Sequence, residues 1–259
     1  MIVFAGSDQG WFTNMARHFR ISFLLTALLL VNQSAAAASL LITTEDAPPA
    51  SMLAGDLVIG RETEKVRELM ARTHTDYKIE LLPWKRAFTM AQTRPNTCVY
   101  STAHTDERDK LFKWVGPTDE ADWELWGLAD HKFTLNTLED ARKLRIGTYN
   151  GDARDEFLRS RGFSVEPVTN DLLNPQKLLL KRIDLWAVGH RTATPMPQYG
   201  WSDKIVPLLV FNRLKIYLAC SRTTPDDLIA RLNAGLDEMR RDGTMLRIEK
   251  KWEHWSAPK

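Results

Sequence analysis

Short β-rich runs alternate with amphipathic helical segments along nearly the whole chain. That alternation restricts the fold most, because it is the pattern of α/β layers. Strands are expected over 40–43, 78–82, 97–100, 144–148, 184–188 and 214–220. A further extended stretch covers 123–129, after the Gly-Pro turn at 116–117. Helical spacing places Val66, Leu69 and Met70 on one face of a helix over 63–72. Further helices are expected over 84–92, 138–143, 151–161 and 176–180.

The C-terminal segment is the most fully specified. Thr224 is expected to cap a helix, with Pro225 in its first turn and Asp227 completing a capping box. Leu228, Ile229, Leu232, Leu236 and Met239 follow at helical spacing. Gly243 can end that helix in a left-handed cap. Thr244 starts a second helix, with Met245, Ile248, Trp252 and Trp255 along one face.

The N-terminus carries a different signal. Arg17, His18 and Arg20 form a basic region, residues 21–31 an apolar one, and residues 35–38 offer small-residue cleavage positions. Eleven mainly apolar residues are too few to cross a hydrocarbon layer of ~30 Å at ~1.5 Å per residue. A secretory signal peptide is therefore expected over 1–38, cleaved near residues 36–38, with Met15 as an alternative start to Met1. The mature chain would be periplasmic. Removing Arg17, Arg20 and Asp8 with that segment lowers the formal charge from +2 to +1. No basic block or acidic tail stands out, so nucleic acid and anionic membranes are poor partners. With 259 residues, 44% of them hydrophobic, the chain can bury a sizeable core in one or two domains.

Five segments together resemble the family 3 extracellular solute-binding proteins, the polar amino-acid binding components of ABC transporters. "LLITTEDAPPASM" resembles the family's opening strand and Pro-Pro turn. "TCVYSTAHTDERDKLFKWVGP" is similar to its strand, threonine-rich loop and Glu-Arg pair. "LRIGTYNGDARDEFL" resembles a strand, Gly turn and helix of the second lobe. "KRIDLWAV" is similar to a later strand, and "YLACSRTTPDDLIARLNAGLDEMRRDGTMLRIEKKW" to the terminal helix pair. The resemblance implies a type 2 periplasmic-binding-protein fold, with two α/β lobes joined by two crossover strands and ligand in the cleft. Lobe 1 would hold 39–122 and 213–259, and lobe 2 would hold 123–212. The implied partners are a small-molecule ligand and the membrane permease of an ABC transporter, with the receptor itself a monomer.

The candidate ligand-binding residues follow from that resemblance. Arg108 matches the arginine that clamps a ligand carboxylate, for which a planar fork of donors is suited; the alternative is a surface arginine paired with Asp106 or Asp109. Ser101 and Thr102 could add hydroxyl or backbone donors, or serve as ordinary loop caps. Asn150, Gly151, Asp152 and Arg154 stand at a helix start whose N–H groups suit an anion, yet Asp152 can satisfy those groups itself as an N-cap. The family's acid beyond "KRIDLWAV" is replaced by Gly189 and His190, of which His190 could accept a hydrogen bond when neutral. The family's stacking aromatic is replaced by Ala47, and Trp84 is either an apolar wall in its stead or a core residue. An ordinary L-amino acid is therefore a doubtful ligand.

No HExxH, paired CxxC, P-loop, GxGxxG or GxSxG motif is present, and no metal, cofactor or catalytic residue is expected. A sensor module of the same fold and, more remotely, a cleft enzyme such as a dehydratase remain as alternatives. In the implied fold the strand ending at Cys220 runs antiparallel beside the one beginning at Cys98. That offers a disulfide in an oxidising compartment, the alternative being two buried thiols.

Overall fold

The computed structural model describes residues 1–3, 39–189, 200–201, 203–253 and 255. The signal-peptide features and His190 lie outside the described residues.

In the first lobe, β1 (Leu40–Thr44) stands between two parallel neighbours, β4 (Tyr77–Leu81) and β5 (Thr97–Ala103). A hairpin of β2 (Met52–Ala54) and β3 (Leu57–Ile59) follows β1. Parallel pairing needs crossovers, and two helices supply them: α1 (Arg61–Arg72) and α2 (Trp84–Thr93). Period-two alternation divides the side chains of β5. Cys98 and Tyr100 join a core with Val66, Leu69 and Met70 of α1, while Val99 packs on the opposite face with Ala87 and Ala91 of α2. α1 begins two residues before the expected start at 63, directly after Gly60. There φ is 131° and an added Cβ would stand 2.4 Å from the Ala50 carbonyl oxygen, so only glycine fits.

The second lobe repeats the plan. β7 (Ile146–Tyr149) lies parallel between β8 (Val165–Val168) and β9 (Leu185–Gly189), with α3 (Ala153–Ser160) and α4 (Leu173–Leu179) as crossovers. Leu185 and Ala187 pack with Leu158 of α3, and Trp186 and Val188 pack with Leu178 of α4. Both faces of each half-sheet are thus covered, which explains why these strands read as continuous apolar runs. β8 escapes the sequence pattern because it is short and carries Pro167, which an edge strand tolerates.

Two antiparallel strands of 16 residues, β6 (Lys113–Leu128) and β10 (Ile205–Cys220), run through both lobes and join them, giving a sheet in the order β4-β1-β5-β10-β6-β9-β7-β8. The extended stretches expected at 123–129 and 214–220 are the ends of these longer strands. Their middle portions carry Asp119, Glu120 and Asp122 against Arg213 and Lys215, so no apolar alternation marks them.

The C-terminal helices are α5 (Asp226–Arg241) and α6 (Thr244–Trp252), which pack against α1. The capping expected of Thr224 does not occur. Pro225 holds the N-cap position without a side-chain cap, because the Thr224 hydroxyl is turned to Ser221 Oγ at 3.1 Å. Gly243 does adopt the left-handed conformation, and Asp242 receives the Thr244 N–H at 2.9 Å. The helix expected over 138–143 is a single 3-10 turn (Leu138–Ala141), closed by a capping box of Thr137 and Asp140. Cys98 and Cys220 are direct cross-strand partners and form a disulfide. No helix among the described residues is long and apolar enough to cross a membrane.

Candidate functional site

The parallel strands of both lobes end at one cleft, the position that open α/β sheets use for ligands. The loop after β1 contributes Glu45, Ala47, Pro48 and Pro49, β5 contributes Ser101 and Ala103, and the turn after β5 contributes Arg108. Trp84 comes from the start of α2. The second lobe adds Asp152, Arg154 and Gly189, and the joining strands add Asp119, Glu120 and Trp123. This recess has about 130 Å³ open to water-sized molecules. A neighbouring one of about 330 Å³ shares Glu45, Ala47, Pro48 and Arg154 and is lined also by Tyr149 and Asp171.

Arg108 is almost wholly buried, with its guanidinium 4.6 Å from the centroid of the Phe88 ring. Its Nε donates to Glu156 Oε2 at 2.9 Å, and Nη2 donates to the Gly151 carbonyl at 3.2 Å. Nη1 is buried and has no partner, and neither has Ser101 Oγ. Ser101 has a left-handed backbone, φ 59°, a conformation that is uncommon for a non-glycine residue. Thr102 faces elsewhere: it is fully buried, and its hydroxyl donates to Val99.

Trp84 both packs in the core with Ala87 and Phe112 and borders the cleft; its indole N–H donates to the Gly151 carbonyl at 2.9 Å. Gly151, at φ 76°, thus turns one carbonyl toward two donors from the opposite lobe. Asn150 is exposed on the same turn. Asp152 caps α3 by accepting the Arg154 N–H at 2.8 Å, and it also receives Arg154 Nε at 2.6 Å. One of the free N–H groups of the helix start, that of Arg154, is therefore served from within the chain.

Arg154 holds a mixed cluster together. Asp152 lies on one side and Asp171 at 3.6 Å on the other, and Asp171 also receives the Trp186 indole N–H. Burial pushes the Asp152 carboxyl up, yet Arg154 prevails and holds it below the usual carboxylate range. Asp171 is raised by burial, against the pull of Arg154. Glu45, hydrogen-bonded to Tyr149 across the cleft, is pushed up to about 8 by burial, with Asp152 and Asp171 nearby adding to the rise.

Glu62, Asp119 and Glu249 bring carboxylate oxygens within 4.8 Å of one another. They are bridged by the protein's own cations. Lys65 Nζ lies 2.6 Å from Glu62 and is paired with Glu249, and Arg61 lies 2.7 Å from Asp119. The cluster ties α1, β6 and α6 together as an ion-pair network.

Sequence reasoning did not single out Glu45 or Glu156. Glu45 was detectable as the first residue beyond a parallel strand, and Glu156 as the residue one helical turn beyond Asp152. Nothing in the local sequence pairs Glu156 with Arg108, which lies 48 residues away.

Two α/β lobes, two joining strands and a charged cleft at the carboxyl ends of the parallel strands define a two-lobed binding protein of the type 2 periplasmic-binding-protein fold. The chain belongs to the bacterial extracellular solute-binding proteins, family 3, whose model matches residues 40–254. It is 23% identical to the L-cystine-binding protein TcyJ of Escherichia coli K12 over 79% of this chain and 78% of that one. A histidine kinase sensor domain with similarity to periplasmic binding proteins matches in fold with TM-score 0.77 at 16% identity, covering 85% of this chain and 98% of that one. The arginine-, lysine-, histidine-binding protein ArtJ of Geobacillus stearothermophilus matches with TM-score 0.74 at 16% identity, over 85% and 96%.

Proposed function

We propose that this chain is an exported receptor that captures a small polar solute in the inter-lobe cleft and delivers it to the permease of an ABC-type importer. The observation that carries the reading is the pair of buried, unpartnered groups at the cleft, Arg108 Nη1 and Ser101 Oγ. A buried polar group without a partner is costly, and a solute oxygen seated between these two would remove that cost. Closure of the lobes around the solute would present one shape to the permease. Membership of an extracellular family and the basic-then-apolar N-terminus both support export.

The solute is not a standard L-amino acid in this reading. The family's acid is replaced at the end of β9 by Gly189, which borders the cleft and supplies no carboxylate for an α-ammonium. A sensor role is the second reading, favoured by the fold likeness to a histidine kinase sensor domain.

A thermal-shift screen of small metabolites tests the receptor reading, because a ligand bound only by the folded state raises apparent stability by about 2.7 kcal/mol at a hundred times its Kd. A dose-dependent rise in Tm with at least one solute is expected. Uptake of the labelled hit by cells with and without the chain then separates import from sensing.

A further inference from the structure

A guanidinium grips a free carboxylate through two parallel N–H bonds from one edge of its fork. In Arg108 one such edge is taken. Nε donates to Glu156 Oε2 at 2.9 Å, and Nη2 lies 2.9 Å from the same oxygen. The other two-nitrogen edge also runs through Nη2, whose remaining direction is used by the Gly151 carbonyl at 3.2 Å. Only Nη1 is left, buried and without a partner, as is Ser101 Oγ. The charge of Arg108 is thus already balanced, from the opposite lobe, by a side chain of the same protein. Among the described residues, the other charged groups bordering the cleft leave no free cation for an incoming anion: Asp152 is itself an acid, Arg154 is engaged by Asp152 and Asp171, and Arg61 by Glu62 and Asp119.

We infer that Glu156 sets the solute class. By neutralising Arg108 from within, it leaves the cleft to a solute that offers Nη1 and Ser101 an uncharged oxygen, such as an amide or ester carbonyl, in place of a free carboxylate. The inference rests on the receptor reading above and narrows it. A carboxylate has to displace Glu156, an intramolecular partner whose effective concentration is of millimolar order or above. A displaced Glu156 would stay beside the incoming anion, one turn along α3 from Asp152. An uncharged acceptor leaves the Arg108–Glu156 pair intact and adds the missing partner of Nη1. Glu156 acts through Arg108 and is a specificity-determining residue.

The test is calorimetric titration of the whole mature protein with matched pairs: L-cystine and its bis-amide, L-arginine and L-argininamide, L-glutamine and its α-amide. In the wild type, the amide of each binding pair should be tighter than the acid. Glu156→Gln keeps the shape and an acceptor oxygen but removes the charge. It should strengthen binding of the acids about tenfold, since a like charge at close range is worth at least that much, and change binding of the amides less than threefold. Wild-type preference for the acids, or an acid-to-amide ratio that Glu156→Gln leaves unchanged, overturns the inference. Hits from the metabolite screen serve as a second readout: solutes without a free carboxylate support the assignment, and carboxylates that lose affinity in Arg108→Ala overturn it while leaving the receptor reading intact. No response to any pair or any metabolite by either protein removes the receptor reading, and this inference with it.

Discussion

Trp84 of the first lobe donates its indole N–H to the Gly151 carbonyl of the second at 2.9 Å, so a bond between an aromatic side chain and a backbone turn joins Arg108–Glu156 in tying the lobes together. Trp84→Phe keeps the ring contact with Phe88, 5.6 Å between centroids, and removes only that bond. Loss of about 1 kcal/mol should shift the ligand-free protein toward a more open form. Small-angle X-ray scattering should register a larger radius of gyration, and an unchanged value would contradict the contact's role in closure.

Arg108→Ala should abolish most solute affinity while the protein stays folded. Glu156 is 45% exposed at its side chain and can turn to water once Arg108 is gone, and the Gly151 carbonyl keeps the Trp84 donor. A weakening of about 10- to 100-fold is expected for any hit from the metabolite screen, with a cooperative melt retained by circular dichroism. Unchanged affinity would remove Arg108 from the site.

Glu45 makes stability depend on pH. Burial raises its carboxyl from 4.5 to about 8, so folding takes up a proton between those values. The stability tied to Glu45 is full below about pH 4.5 and falls as pH rises toward 8. Glu45→Gln cannot ionise. It should melt with the wild type near pH 4.5 and above it at pH 8, by about 4 kcal/mol, on the order of ten degrees. A Tm difference that does not grow across this range would show that Glu45 is ionised in the folded protein.

Cys98 and Cys220 close a loop across 122 residues of sequence, and a bridge of that span contributes roughly 2–4 kcal/mol by restricting the unfolded chain. Mass spectrometry of the exported, non-reduced protein should show no thiol open to alkylation after denaturation. Reduction should lower the Tm, and Cys98→Ala with Cys220→Ala should lower it to the same degree. Two alkylatable thiols in the non-reduced protein would exclude the bridge.

Much of the architecture was legible in the sequence because it is local. Val66, Leu69 and Met70 mark the buried face of α1 by their spacing alone, and Gly243 marks the break between α5 and α6. Elements fully covered on both faces, such as β9, read as unbroken apolar runs. Where polar residues fill a strand, as at Asp119–Asp122 within β6, or a proline interrupts one, as in β8, the pattern fails and the element goes unseen. The expected cap at Thr224 failed for a related reason: its hydroxyl had a choice of partners, and Ser221, brought close by the turn, took it.

The cleft divides along the same line. The sequence by itself determined which chemistry is present: a Trp at 84, an Arg at 108, a Gly-Asp turn at 151–152 and no acid at 189. The tertiary structure alone decided how those groups are used. It placed Glu156 against Arg108, Gly151 between two donors of the opposite lobe, and Cys98 directly across from Cys220. These relationships depend on distance and direction between segments roughly 40 to 120 residues apart in sequence, which only the folded chain brings together. A one-residue slip between β5 and β10 would turn Cys98 or Cys220 to the opposite face of the sheet and break their pairing.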